Sequence, residues 1–453
     1  MTQTPEAAKL WGNAQTILLK GAHLIDPEAA IDGPHDVFLR RGKVEAIAPQ
    51  IAREADLTVR LDGCVLAPGF GDMHVHLREP GDEDAETIES GTRAAAVGGF
   101  TRVACMPNTK PALDTGGMIE FVIQRANAAG HARVFPVGAA TRGRAGEELT
   151  EMRELQLAGA LAVSDDGNPV ENSRVMRRVL EYARTWDLLV ISHAEDRDLV
   201  GTGVMHEGYW STVLGLTGVP AASEGIAVAR DVRLAELTGA RLHIAHVSTR
   251  EAVEILRAAK ARGVPVTAET APHYVALTDE TIREYDSVFR VNPPLRGEED
   301  RRAVIEGLRD GTLDAIATDH APHTLVAKDA EFEAAPPGMI GLESALGVAL
   351  EVLHHREGVP LTRIVDALAA APARILGWGG GRLRLGEDAD LTAFDPQAAW
   401  TIDPEAFVSR SRNCPFRGWR VRGRARMVVA GGRLTHEEGV EFAPSERLLA
   451  QVV

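Results

Sequence analysis

Two histidines stand two residues apart in Asp72-Met73-His74-Val75-His76-Leu77-Arg78-Glu79-Pro80-Gly81, directly after a short apolar run. In a strand, residues i and i+2 point to the same face. His74 and His76 can therefore offer two imidazoles to one metal ion. Arg78 continues the same phase, and its planar guanidinium suits an anionic ligand held beside that ion. A lone His-x-His is more often structural or exposed than metal-bound, so the reading requires further ligands.

They occur where apolar runs stop. Asp166 lies in Ser164-Asp165-Asp166-Gly167 after Ala160-Leu161-Ala162-Val163, and His193 follows Leu188-Leu189-Val190-Ile191. His246 ends Leu242-His243-Ile244-Ala245, and Asp319 ends Ala315-Ile316-Ala317-Thr318. Each candidate sits at the C-terminal end of a predicted strand. In a (β/α)₈ TIM-type barrel these ends converge on one face, so ligands from five strands can meet although more than 240 residues separate the first from the last.

The elements fit that architecture. From about Pro68 to Gly380, strands alternate with helical segments, as in Thr101 to Met106 followed by Gly117 to Ala129, and Arg241 to Val247 followed by Arg250 to Arg262. Residues Thr16 to Ala67 instead read as short strands, with turn signals at Asp32-Gly33-Pro34, Arg41-Gly42 and Asp62-Gly63. After Gly379-Gly380-Gly381 the sheet pattern returns, with Asp390 to Phe394 and Ala425 to Leu434 as strands. The expected fold class is α/β: a barrel over 68–380, beside a small β-sandwich domain shared by 1–67 and 381–453.

Composition bounds the function. At 453 residues and 45% hydrophobic, the chain can bury a large core. It has no apolar run of membrane-spanning length, and Met1-Thr2-Gln3-Thr4-Pro5-Glu6 lacks a signal-peptide layout, so a soluble cytoplasmic protein is expected. Cys64, Cys105 and Cys414 are too few and scattered for a disulfide framework. A net charge of −16 argues against nucleic acid or an acidic membrane as partner. Any anionic substrate must be captured by local arginines.

Pro68 to Gly81, Met106-Pro107-Asn108-Thr109, Ser164 to Gly167, Asn292-Pro293-Pro294-Leu295-Arg296, Thr318-Asp319-His320-Ala321-Pro322-His323 and Pro336-Pro337-Gly338 resemble dihydroorotases of the amidohydrolase superfamily. That resemblance implies a zinc-dependent cyclic amide hydrolase that reversibly closes N-carbamoyl-L-aspartate to (S)-dihydroorotate in pyrimidine (UMP) biosynthesis. It implies His74, His76, Asp166, His193, His246 and Asp319 as metal ligands. Substrate contacts fall to His76, Leu77, Arg78, Asn108, Asn292 and His323, with backbone groups from Pro337 and Gly338. A metal-held hydroxide would attack the ring amide while Asp319 carries the proton. Arg78, with Asn108 and His323, would hold the substrate carboxylate. A homodimer is expected, and complex formation with aspartate transcarbamoylase is a further use of such chains.

Many relatives bridge two zinc ions through a carbamylated lysine, but no lysine occurs between Lys110 and Lys260. Asp166 stands on the strand where the bridge belongs and can span two Zn2+ ions with its two oxygens. Asp165 is its rival, and otherwise reads as an exposed turn residue capping the next helix.

The remaining candidates have plainer readings. His243 and His320 read as core or structural histidines, and His273 as support for a ligand. His131, His206, His354, His355 and His436 read as surface or packing residues. Glu79 suits a partner for Arg78 or a backbone amide, and Glu195 and Asp196 suit support behind His193. The arginine-rich tract Arg410 to Arg426 reads as a solvated face or subunit contact, and Leu325 to Ala335 as a mobile lid. Two other functions stay open: a hydantoinase- or allantoinase-like cyclic amidase, against which Arg78 and Asn108 argue, and a non-catalytic partner of aspartate transcarbamoylase, which would have lost ligands.

Overall fold

The computed structural model describes residues 5–452. Eight strands form one sheet in chain order: β1 Phe70–Val75, β2 Phe100–Cys105, β3 Arg133–Ala139, β4 Ala162–Ser164, β5 Leu189–Ser192, β6 Leu242–Ile244, β7 Val266–Thr270 and β8 Ala315–Ile316. Neighbours pair in parallel, as in Val163 of β4 opposite Val190 of β5. The strands are short and almost wholly buried because helices cover their outer face. Between β1 and β8 the ring closes through the His76 amide, which donates to the His320 carbonyl at 2.8 Å, and the Thr318 amide, which donates to Asp72 at 3.1 Å.

Local sequence sets the helices. Thr87 caps Ile88–Gly98 by accepting from the Ser90 amide while Ser90 returns a bond to the Thr87 amide, a box that contributes about 1 kcal/mol. In Arg250–Ala261, Ala252, Val253, Leu256 and Ala259 recur at helical spacing and make the buried face. Inside the ring, Met73, Leu189 and Ile191 pack with Trp378. Gly71 has no room for a side chain there: a Cβ would stand 2.4 Å from the Trp378 ring.

Both ends of the chain enter two further sheets. In one, Leu391–Thr401 pairs with Val65–Pro68; in the other, Glu441–Pro444 pairs with Leu57–Arg60. Leu19, Val37 and Val59 from one sheet share a solvent-free core with Leu24, Leu66 and Met427 from the other. Each such leucine contributes roughly 1.5–3 kcal/mol.

Two sequence expectations shift. Asp32-Gly33-Pro34 lies within the strand Ile31–Pro34, and the chain turns earlier, at Pro27–Ala30, where Ala30 takes φ +54°. The stretch Ala425 to Leu434 is not one strand: Gly431 and Gly432, both at positive φ, turn Arg420–Ala430 back into Arg433–Glu437. The arginines of that tract pair with local acids, Arg422 with Glu351 at 2.9 Å and Arg424 with Glu438 at 2.7 Å, so it is a salt-bridged face. Among the described residues, no helix is long and apolar enough to cross a membrane.

Candidate metal centre

The six candidate ligands meet at the C-terminal ends of β1, β4, β5, β6 and β8, and none is more than 6% exposed. His74 Nε2 lies 3.3 Å from Asp166 Oδ1 and 3.5 Å from Asp319 Oδ1. His76 Nε2 lies 3.1 Å from Asp319 Oδ1 and 3.7 Å from Asp166 Oδ2. On the far side of Asp166, His193 Nδ1 and His246 Nε2 stand 3.7 and 3.8 Å from its Oδ1 and 2.8 Å from each other. Ligand atoms about 2.1 Å from a tetrahedral cation lie about 3.4 Å apart. The spacing around His74, His76 and Asp319 matches that edge.

Burial adds a second test. His74 Nε2 has no hydrogen-bond partner among the described residues although it faces two carboxylate oxygens. With its Nδ1 proton given to Glu269 Oε1 at 2.9 Å, Nε2 presents a lone pair to those oxygens, an arrangement that a cation between them makes favourable. Burial raises the Asp166 carboxyl, but His74, His193 and His246 outweigh it and hold it well below the usual range. Burial likewise pushes Asp319 up, and His76 and His74 bring it down further than that. The residues present fit divalent metal. Backbone strain collects here too, with Arg78, His246 and Asp319 at φ +62°, +37° and +47°.

A cavity of about 290 Å3 opens over these groups, lined by Arg78, Asn108, Arg144, Asn292 and His323 among others. Its polar groups are already partly engaged. Asn108 Oδ1 holds His76 Nδ1 at 2.8 Å, and Asn292 Nδ2 lies 3.3 Å from His193 Nε2. Arg78 Nε donates to the Pro322 carbonyl at 3.0 Å. His323 Nε2 meets the Pro337 carbonyl at 2.9 Å, while the Gly338 amide donates to Arg290. Burial and the nearby Arg78 push His323 down to about 3, so its ring is neutral near pH 7.

Several expectations are revised. The strand ends at Val75, so Arg78 reaches the cavity through a left-handed turn rather than through strand phase. Leu77 is buried in the core between sheet and helices and does not line the cavity. Asp165 is not an exposed cap: it is buried and accepts from the Thr141 amide at 2.9 Å and from the Thr141 hydroxyl. Glu79 serves the Ile88 amide and Arg125 rather than Arg78. The segment Leu325 to Ala335 has contacts that its composition does not announce: Phe332 is buried, Lys328 Nζ donates to Pro336, and Arg290 donates to the Phe332 and Glu333 carbonyls, while Leu325 and Val326 are exposed.

The plainer readings fall out as follows. His320 accepts from the Gly341 amide at Nδ1 and faces Glu86 with Nε2. His273 is buried against Tyr274, and burial pushes it down to about 4. Glu195 Oε2 lies 3.7 Å from His193, and Asp196 caps Arg197–Val200.

Three residues were not singled out by sequence. Asp72 shares the β1 phase of His74 and binds the amides of both His74 and Thr318; an acid inside an apolar strand was its only signal. Glu269, at the end of β7, reaches His74. Arg144, from the loop after β3, lines the cavity and donates to the Asp166 carbonyl at 2.7 Å.

Residues 63–252 match the family described as Dihydro-orotase-like. A protein of Geobacter metallireducens named dihydroorotase is 51% identical over 423 residues, spanning 93% of this chain and 99% of that one. Another so named, from Anaeromyxobacter dehalogenans, is 51% identical over 432 residues, 94% of this chain and 99% of its own. This chain belongs to the dihydroorotase family. The dihydroorotase-family chain shares its fold with the solved L-hydantoinase from Arthrobacter aurescens, at TM-score 0.85 and 24% identity over 93% of this chain and 96% of that one. Dihydropyrimidinase from Brevibacillus agri superposes at TM-score 0.81 and 22% identity, over 93% and 95%. Within the dihydroorotase family, then, this chain carries clusters of His and Asp able to hold metal at the mouth of a barrel.

Proposed function

We propose that this chain is a metal-dependent dihydroorotase, reversibly closing N-carbamoyl-L-aspartate to (S)-dihydroorotate in pyrimidine biosynthesis. The observation that carries the reading is the placing of Arg78 in the same cavity as the His/Asp cluster, which pairs an anion reader with a site for hydrolysis. Two Zn2+ ions are the expected cofactors: His74, His76 and Asp319 would hold one, His193 and His246 the other, and Asp166 stands within reach of both groups. When bound, such ions polarise an amide oxygen and lower the pKa of water by several units.

The chain's own groups do the rest. Arg78 presents the unused edge of its guanidinium to the substrate carboxylate, with the Asn108 amide nitrogen beside it. Asn108 and Asn292 also hold the His76 and His193 rings in place. Asp319, ionised at neutral pH and with Oδ1 turned to His74 and His76, has Oδ2 left to take a proton from the attacking water. In hydrolysis the water oxygen joins the amide carbon, the carbon–nitrogen bond breaks, and Asp319 returns the proton to the leaving ring nitrogen. Cyclisation runs these steps backwards and releases water.

We take 68–380 as the catalytic barrel, with 1–67 and 381–453 as the β-domain beside it. A cytoplasmic homodimer, alone or with aspartate transcarbamoylase, is the assembly the resemblance supports; light scattering with and without that enzyme tests it. Rates of hydrolysis of dihydroorotate, hydantoin and allantoin, measured alongside metal content, test the activity. Preference for hydantoin or allantoin overturns the reading in favour of a general cyclic amidase, and no turnover with metal bound favours the scaffold role.

A further inference from the structure

We propose that Glu269 is a positioning residue that fixes His74 as a ligand by holding its outer nitrogen, so that loss of the Glu269 charge weakens metal binding at the His74, His76 and Asp319 cluster. The inference rests on that cluster being a metal site. Glu269 is the penultimate residue of β7 and is 1% exposed, as deep as His74 itself. Its Oε1 lies 2.9 Å from His74 Nδ1, and its Oε2 lies 3.3 Å from His243 Nε2. His243 Nδ1 in turn meets the Thr267 hydroxyl at 2.8 Å. Three buried side chains, His74, Glu269 and His243, and the half-buried Thr267 thus run outward from the site.

The direction of the protons gives this line its effect. A carboxylate accepts and cannot donate, so His74 must carry its proton on Nδ1, leaving the Nε2 lone pair toward Asp166 and Asp319. His243 Nε2 stands 3.3 Å from the second oxygen without a hydrogen bond to it, so the bond from His74 Nδ1 to Oε1 is the one that fixes the carboxylate at this ring. Among the described residues the other outer nitrogens lack such a partner. His76 Nδ1 meets the neutral amide of Asn108, His193 Nε2 has Asn292 at 3.3 Å and Glu195 only at 3.7 Å, and His246 Nδ1 has no hydrogen bond. Full negative charge within 3 Å of an outer nitrogen is confined to His74.

The variant Glu269→Gln keeps the shape and removes the charge. Its amide can offer His74 a donor in place of an acceptor, which moves the ring proton to Nε2 and aims it at the two carboxylates. Zinc titrated into metal-free protein against a chromophoric chelator should show the affinity of one zinc weakened about tenfold to a hundredfold, with the melting temperature of the metal-free protein unchanged. Zinc affinities within twofold of the parent overturn the proposal. So does a lower metal-free melting temperature with unchanged affinity, which marks a carboxylate that only holds the fold. If Glu269→Gln does not fold, Glu269→Asp, whose shorter stem withdraws the charge from His74, goes through the same titration; weakened zinc supports the proposal and unchanged zinc overturns it. Because no substrate is used, a chain that hydrolyses no dihydroorotate yet shows this loss sinks the proposed function and leaves the role of Glu269 standing.

Discussion

Asp165 and Asp166 are adjacent in sequence, yet their carboxylates occupy unlike surroundings. Asp165 is bonded to the amide and hydroxyl of Thr141, and burial raises its pKa. Asp166 stands among His74, His193 and His246 and is held well below the usual range despite burial. One carboxylate closes a loop, and the other faces three imidazoles.

Asp166→Ala should therefore lose bound zinc, whereas Asp165→Ala should retain it and lose about 1–3 kcal/mol of stability from the unpaired Thr141 amide. Metal analysis and denaturant titration of both variants check this. The reverse pattern would move the bridge to Asp165.

Asp319→Ala should lower turnover by about 10⁴ in both directions while circular dichroism stays native. The equilibrium constant of the reaction requires kcat/KM to fall by the same factor each way. Activity within tenfold of the parent would remove Asp319 from the proton path.

Arg78→Lys keeps the charge but loses the planar fork and the bond to the Pro322 carbonyl. For dihydroorotate, kcat/KM should fall by a factor worth about 2–4 kcal/mol with zinc content unchanged. Hydrolysis of an uncharged cyclic amide should barely move, and equal losses on both substrates would show that Arg78 organises the site instead of reading the carboxylate.

Without metal, burial lowers His193, but Asp166 and Glu195 outweigh it and bring it up to about 9. A raised histidine pKa means that protons compete with metal below that value. Zinc affinity should rise with pH up to about 9, and zinc added at pH 7 should release protons. Calorimetry in buffers of different ionisation heat measures the release; no proton release at pH 7 contradicts the raised pKa.

The six candidate ligands could be picked out in the sequence because a barrel sends the ends of its strands to one face, so position after an apolar run carries spatial information. The partners of those ligands could not. Glu269 meets His74 across 195 residues, and nothing local in Val266–Thr270 announces it. Asn108 and Asn292 were expected at the substrate, but each has spent one side-chain group on a histidine. Strand phase pointed to Arg78, yet the strand stops short of it and a positive φ does the aiming. The contacts of Leu325 to Ala335 were hidden because they depend on Arg290 and the buried ring of Phe332, groups that composition treats as loop.

The closure of β1 against β8 has a consequence for how the molecule is made. His76 and Asp319 lie on either side of that closure, 243 residues apart, and few main-chain bonds join the two strands there. A cation gripped from both sides acts as a clasp, and because it binds the closed ring and not the open chain, it stabilises closure by mass action. A nascent chain on the ribosome cannot form this clasp until Asp319 has emerged, so the cluster of His74, His76 and Asp319 is completed late in synthesis.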